Sequence, residues 1–357
     1  MNKKSICKVL TILMLISFLS GCSFIKDSTN NKIKTDEMNA GNEKKIIVNG
    51  KNIYFIDTSN KNKLYVVDDQ FKNKKLISDR YFLRMVDITD KEIYFIQKTI
   101  LDEKIPLYEL CSIDLNGDSY KSIVKDVNSA IFLNDKLYYY RVTDEAVNDD
   151  GISRNFSNFC VFDINLNKES IIDEKVDVYI NRLEIFKNKI YYDGAENKFL
   201  EYNPSTEEKN QLDVSLTFFY RYSDDSIYAY KGSTIEKTNL LNNEKRVILP
   251  ESEKIYNIWD MNVTKDYIFF LAQDTKEVKS EIFRLNLYRV KKDGSELKKI
   301  YYSDYTKDII HVNHNIYNFG DKLLLYEKNE ENLLLSRNKF QLIDYNGKEI
   351  NSSSINN

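Results

Sequence analysis

Short apolar runs of four to seven residues, separated by polar turns, recur along the chain from about residue 45 onward, and one phrase recurs within them. "NGKNIYFID", "TDKEIYFIQ", "NDKLYYYR", "KNKIYYDG", "SDDSIYAYK", "TKDYIFFLA" and "GDKLLLYEK" each set a polar turn before an aromatic or aliphatic strand. Aligned on their central residues, the anchors are Tyr54, Tyr94, Tyr138, Tyr191, Tyr228, Phe269 and Leu324. The gaps between them are 40, 44, 53, 37, 41 and 55 residues. A period of this length built from short strands predicts propeller blades rather than a helical solenoid. The runs are rich in Ile, Val, Tyr and Phe, and no stretch reads as a capped amphipathic helix.

Each unit has a second half that also repeats. One register reads Leu64, Leu110, Phe159, Phe199, Ile235, Leu287 and Phe340, all apolar. Four residues later come Asp68, Asp114, Asp163, Asn203, Asn239, Lys291 and Asp344. A short acid or amide at a strand end favours a turn through its own side-chain hydrogen bonds. Asn116-Gly117, Asp293-Gly294 and Asn346-Gly347 add strong hairpin signals. Each unit is therefore two hairpins, strands A to B and C to D. The second unit shows the pattern in "FLRMVDI", "EIYFIQ", "LYELCSI" and "YKSIV". Four strands cannot bury both of their faces alone, but ringed neighbours bury them for each other. The predicted fold is all-β: a seven-bladed β-propeller of four-stranded antiparallel blades over residues 45–357.

"LYRVKKDGSELKKI" and "IYFIDTSNKNKLYVVD" resemble the repeats of a bacterial family of receptor-like β-propellers of unknown function, related to the TolB-type and low-density-lipoprotein-receptor-type propellers. The resemblance covers most of residues 45–350 and implies a fold without implying a chemistry. The receptor-type Tyr-Trp-Thr-Asp core is not reproduced, since none of the seven phrases contains tryptophan.

Ahead of the repeats, "MNKK" supplies a basic n-region and "VLTILMLISFL" an apolar stretch too short for an ordinary membrane span. "LSGC" at 19–22 resembles a bacterial lipobox. That likeness implies a lipoprotein signal peptide at 1–21 and a diacylated, palmitate-type anchor on Cys22. Two acyl chains are what stable anchoring requires. Residues 22–44 are polar and without period, and read as a flexible tether spanning ~25 Å on average. The expected location is the extracytoplasmic face of the cell membrane, with the membrane as a partner through the lipid.

The formal charge is −3, and without Lys3, Lys4 and Lys8 there remain 49 basic against 55 acidic groups, about −6. A mildly acidic chain lacks the electrostatic footprint for nucleic acid. The 26 Tyr and 19 Phe suit strands, and their place in the repeats points to packing between blades rather than to a sugar-stacking surface. Trp259, the single tryptophan, falls on the expected innermost strand of blade six and is read as a core residue.

Catalytic signatures are missing: there is no GxSxG, HExxH, CxxC or Gly-rich phosphate loop, and no sialidase-type Asp box. His311 and His314, the only histidines, lack a third placed ligand, so no metal or other cofactor is expected. "DLNGDS" at 114–119 lacks the terminal Glu of a calcium loop and reads as a hairpin. Cys111 and Cys160 occupy equivalent strand-C positions of neighbouring blades. A blade spacing of about 10 Å exceeds the ~7 Å reach of a disulfide between Cα atoms, so two separate buried thiols are expected.

In a propeller the A–B and C–D turns emerge on one face, and the B–C and D–A connections on the other. The B–C connections are long in blades two, three, six and seven and short in blades one, four and five. Long connections on a rigid scaffold carry function more often than packing-dictated turns do. The expected ligand rim is blades two–three and six–seven, with Asp149, Asp150, Arg154, Tyr305, His311 and His314 as candidates. The function this supports is a monomeric cell-envelope module binding an unidentified envelope protein or saccharide. The alternatives are a carbohydrate-active hydrolase or lyase using carboxylates on the central face, and a subunit of an envelope assembly met through the blade edges.

Overall fold

A computed structural model describes residues 44–355 apart from residues 59, 99–107, 148–152, 178–182, 196–197, 213–219, 276–284, 303–311, 320 and 330–336. The hairpin reading holds in every unit. Blade one is β1 (Ile46–Asn49), β2 (Asn52–Asp57), β3 (Lys63–Asp68) and β4 (Lys75–Ser78). Blade two is β5 (Arg84–Ile88), β6 (Glu92–Lys98), β7 (Tyr108–Asp114) and β8 (Lys121–Lys125). Blade three is β9 (Val127–Leu133), β10 (Lys136–Val147), β11 (Ser153–Asp163) and β12 (Lys168–Asp177). Blade four is β13 (Leu183–Phe186), β14 (Lys189–Asp193), β15 (Phe199–Asn203) and β16 (Glu208–Leu212). Blade five is β17 (Tyr220–Ser223), β18 (Ser226–Lys231), β19 (Thr234–Asn239) and β20 (Lys245–Leu249). Blade six is β21 (Ile255–Val263), β22 (Tyr267–Asp274), β23 (Asn286–Lys291) and β24 (Lys298–Tyr302). Blade seven is β25 (Val312–Phe319), β26 (Lys322–Asn329), β27 (Arg337–Asp344) and β28 (Glu349–Ile355). Within each sheet, sequence neighbours pair in order and antiparallel. The protein is a seven-bladed β-propeller.

Alternation along strand B explains how one phrase builds a ring. Side chains on a strand point to opposite faces in turn. The seven anchors all face the following blade: Tyr54 packs in the core between blades one and two, Tyr94 between two and three, and Tyr138 between three and four. Tyr191, Tyr228, Phe269 and Leu324 continue the pattern round to blade one. Flanking residues such as Phe55, Phe95, Tyr139, Tyr192 and Phe270 face the preceding blade. Leu64, Leu110, Phe159, Phe199, Ile235, Leu287 and Phe340 share the anchors' direction and are buried. Each side chain of this size contributes about 1.5–3 kcal/mol by leaving water.

Seven seams therefore hold the ring, one between each pair of neighbours. No strand is exchanged at the closure, because blades one and seven are each built from four consecutive strands. Apolar packing closes it: Ile46, Ile53, Phe55 and Val67 meet Tyr317, Leu324, Tyr326, Phe340 and Leu342. Phe340 lies edge-on to Phe55 at 5.0 Å between ring centroids and stacks on Phe71 at 5.9 Å. The cysteines follow the same geometry. Cys111 is buried in the seam of blades one and two, Cys160 in that of blades two and three, and both are free thiols. Burial pushes each thiol up to about 12.

Candidate functional site

The two ends of the ring are put to different uses. On the A–B/C–D end, the turn acids and amides act as the sequence predicts. Asp114 Oδ1 accepts the amides of Asn116 and Asp118, and Asp344 Oδ1 those of Asn346 and Lys348. Asp68 and Asn239 do the same in their own turns. The amide of Lys72 leads in holding the Asp68 carboxyl below the usual carboxylate range.

These turns also dock on the preceding blade. Gly117, Gly294 and Gly347 take φ of +95°, +90° and +88°, and each sets its Cα against the carbonyl oxygen of Ile77, Ile248 or Ile300. A Cβ at any of the three would collide with that backbone oxygen, so glycine is needed for both conformation and space. Arg289 reaches from blade six to Tyr345 O and Asn346 Oδ1 of the blade-seven turn, at 2.8 and 3.0 Å. Lys292 reaches from blade six to Ser223 Oγ and Asp224 Oδ2 of blade five, at 2.7 and 2.5 Å. This end is occupied by the mechanics of the ring.

The opposite end, bearing the B–C and D–A connections, differs from blade to blade. Short links join Asp57 to Lys63, Asp193 to Phe199 and Lys231 to Thr234, whereas Lys98 to Tyr108, Asp274 to Asn286 and Asn329 to Arg337 are longer. The chain also enters the propeller here. The amide of Met85 donates to Lys44 O, and Lys44 Nζ donates to Val86 O, which binds the start of β1 to the inner strand of blade two.

In blade three the expected long loop is mostly strand. β10 and β11 pair from Lys136↔Asp163 out to Val147↔Ser153, a hairpin that extends beyond its partner strands. Arg154 accordingly lies in β11, its backbone paired with Ala146, and not in a loop. His314 likewise sits within β25, its backbone paired with Glu327, because the alternating "VNHNIYNF" continues the ladder outward. Asp149, Asp150, Tyr305 and His311 lie outside the described residues, as does Cys22.

A polar seam runs through the inner strands of blades five to seven. Arg221 Nη2 on β17 meets Asp260 Oδ1 on β21 at 2.7 Å, with both side chains buried. Asp260 Oδ1 also accepts the Met261 amide, and Oδ2 accepts the Ile316 amide on β25, both at 2.8 Å. Asn262 Nδ2 donates to Ile316 O at 3.0 Å, and Asn318 Nδ2 donates to Asn262 Oδ1 at 2.8 Å. Burial pushes the Asp260 carboxyl up, against the opposing pull of the Arg221 guanidinium and the two amides.

Directly beside this seam the strand is irregular. β21 pairs Ile255↔Asp274, Asn257↔Gln273, Ile258↔Ala272 and Asp260↔Leu271, leaving Tyr256 and Trp259 as extra residues at two bulges. Tyr256 is 58% and Trp259 47% exposed on a strand that otherwise has no exposed residue. The reading of Trp259 as core is overturned. The physical reason is the bulge, which removes a residue from the ladder's alternation and re-aims its side chain. A signal was present in the sequence: Ile255, Ile258 and Met261 recur every third residue, which a regular strand cannot bury on one face. Backbone ties hold the irregularity, with Tyr230 Oη donating to Trp259 O at 2.7 Å and the Ile258 amide to Gly232 O at 2.8 Å.

Two further buried carboxylates, Glu109 and Glu201, are held in hydrogen-bonded networks within their blades. Glu109 accepts Gln97 Nε2 and Tyr120 Oη, each at 3.1 Å, and Ser122 Oγ. Burial opposes its ionisation, but the hydrogen bonds from Ser122, Gln97 and Tyr120 hold the carboxyl below its ordinary range. Glu201 is held by Lys189 at 2.7 Å and Tyr191 at 2.9 Å. Among the described residues, no three His, Cys, Asp or Glu side chains come together as a metal-binding group.

No family model matches the chain, and no curated protein matches it. Solved structures align with the chain at low identity. BamB from Moraxella catarrhalis aligns at 10% identity and TM-score 0.44 over 86% of this chain and 84% of that one. A chain of a nidogen/laminin complex aligns at 12% and 0.38 over 55% and 74%. A puromycin hydrolase aligns at 9% and 0.47 over 81% of this chain but only 48% of its own.

Proposed function

We propose that this propeller is a lipid-anchored module of the cell envelope that works by binding, through the end carrying the B–C and D–A connections. One observation carries the reading: the opposite end is committed to docking blade on blade, while this end varies in connection length and exposes an aromatic pair. Lys44 enters at the same end, and a lipid on Cys22 would tether the propeller to the extracytoplasmic face of the membrane. Hydrolysis or lysis by carboxylates is the weaker reading, because Asp260, Glu109 and Glu201 are each engaged in fixed networks within the blades.

A photo-cross-linking residue at Glu145, on the extended hairpin of blade three, should capture a partner or glycan in intact cells. The same residue at Asn116, on the opposite end, should capture none. Capture only from Asn116 would invert the assignment. For the anchor, Cys22→Ala should abolish incorporation of a labelled fatty acid and release the chain from the membrane fraction. Equal label on both proteins would remove the lipoprotein reading while leaving the binding end intact.

A further inference from the structure

We propose that Tyr256 and Trp259 form a stacking platform for consecutive rings of a neutral oligosaccharide. The inference deepens the binding reading above and rests on it.

The geometry comes from the two bulges acting together. Ile255, Ile258, Met261 and Val263 are buried in the seam with blade five. Their partners Ala272, Phe270 and Ile268 are buried in the same seam. Asp260 and Asn262 turn to the other side, toward β25. Between Ile255 and Met261 the order is therefore seam, extra, opposite face, seam, extra, opposite face, seam. Tyr256 and Trp259 occupy equivalent places in that three-residue repeat, so both leave the ladder in the same direction. Two ladder steps on β22 separate them, which is about 7 Å along the strand. β21 is an inner strand that pairs with β22 alone; on its other edge it is tied to blade five by the Ile258 amide to Gly232 O and Tyr230 Oη to Trp259 O.

An isolated exposed aromatic needs no explanation, but two in register on a strand that buries everything else form a ladder of flat apolar faces. Their chemical surroundings narrow the ligand. Asn257 lies between them on β21, and Asn315 on β25 precedes the amide that Asp260 binds; both are partly exposed. Arg221 and Asp260 are buried and satisfy each other, and the exposed charges that precede Tyr256, Glu253 and Lys254, are of opposite sign. Aromatic faces flanked by amides, with exposed charges of both signs and no excess of either beside them, suit a ring that is apolar on its faces and hydroxylated at its edge.

Trp259 is the only tryptophan in the chain, so its emission reports this place alone. The purified protein would be applied to an array of neutral and acidic oligosaccharides, and the retained neutral glycan titrated against tryptophan emission. The expected result is a saturable blue shift, with affinity at least tenfold weaker in Tyr256→Ala. By calorimetry Trp259→Ala should be weakened as much, and Trp259→Phe should keep most of the affinity. Circular dichroism would confirm that these exposed positions leave the fold unchanged. Retention of no glycan, or of acidic glycans only, would overturn the platform. So would neutral-glycan binding that both alanine variants leave unchanged. Cross-linking from Glu145 in the absence of glycan binding would show that the platform is wrong and the binding end right.

Discussion

The seam that closes the ring and the seam that runs beneath Trp259 are built from opposite materials. Between blades seven and one, Phe55, Phe71, Tyr326 and Phe340 interlock, with one ion pair, Lys74 and buried Asp57, set beside the Phe55 ring. Between the inner strands of blades five, six and seven, Arg221, Asp260, Asn262 and Asn318 form a chain of directed bonds to one another and to the β25 backbone. Apolar packing is non-directional, and it tolerates small slips of one blade against the next. An ion pair and amides hydrogen-bonded to named backbone atoms allow one register only. The lesson is that the polar seam lies where the inner strand departs from regular pairing. Two bulges gain no ladder bonds of their own, and Asp260 and Asn262 fix the strand immediately beyond them.

The largest effect should come from breaking that seam on one side. Arg221→Met leaves Asp260 buried without its guanidinium and should cost about 3–5 kcal/mol in denaturant unfolding. Arg221→Met with Asp260→Leu should recover much of the loss while changing the emission of Trp259, because the strand is no longer pinned. If the double variant is as unstable as the single one, the seam is not acting as a pair.

At the closure, Phe340→Ala should cost a comparable or slightly smaller amount, about 3–5 kcal/mol, by opening a cavity against Phe55 and Phe71. Trp259 emission should not change in the folded state. A shift there would show that the two seams are coupled and the contrast is false.

Gly347→Ala tests the docking of turn on blade. Left-handed backbone alone costs an alanine about 1–3 kcal/mol, and the collision with Ile300 O adds to it. Gly50→Ala is the control: its φ is also positive, at +64°, but nothing lies near its missing Cβ. Equal losses at both positions would mean that conformation, not docking, sets the requirement.

The smallest effect near neutral pH, and a growing one above it, is alkaline. Burial pushes Tyr138 and both described thiols up to about 12. For these groups the charged form is disfavoured in the folded state. Their contribution is intact below the unfolded values, near 9 for Cys and 10 for Tyr, and is lost as pH climbs from there toward the folded values. Melting temperature should therefore begin to fall at about pH 9 and drop further above 10. Phenolate absorbance should appear together with unfolding rather than before it. Early titration of most tyrosines in a still-folded protein would contradict the interblade burial.

Seven blades were legible in the sequence because their causes are local. A turn carboxylate accepts amides of its own chain two to four residues on, as Asp114 does, and alternation is a property of the strand itself. The anchors Tyr54 through Leu324 could therefore be aligned, and all seven proved to face the next blade. The extended hairpin of blade three was less legible, since polar stretches such as "DEAV" and "SRN" can pair only because β10 and β11 are already in register. The direction of Trp259 was not read from the sequence at all. Side-chain direction on a strand depends on which residues its partner pairs with, and β21 skips two residues against β22. Sequence alone determined the repeat, the turns and the faces of regular strands. Tertiary structure decided where the ladder breaks, because a bulge is a mismatch in count between two strands and belongs to neither strand by itself.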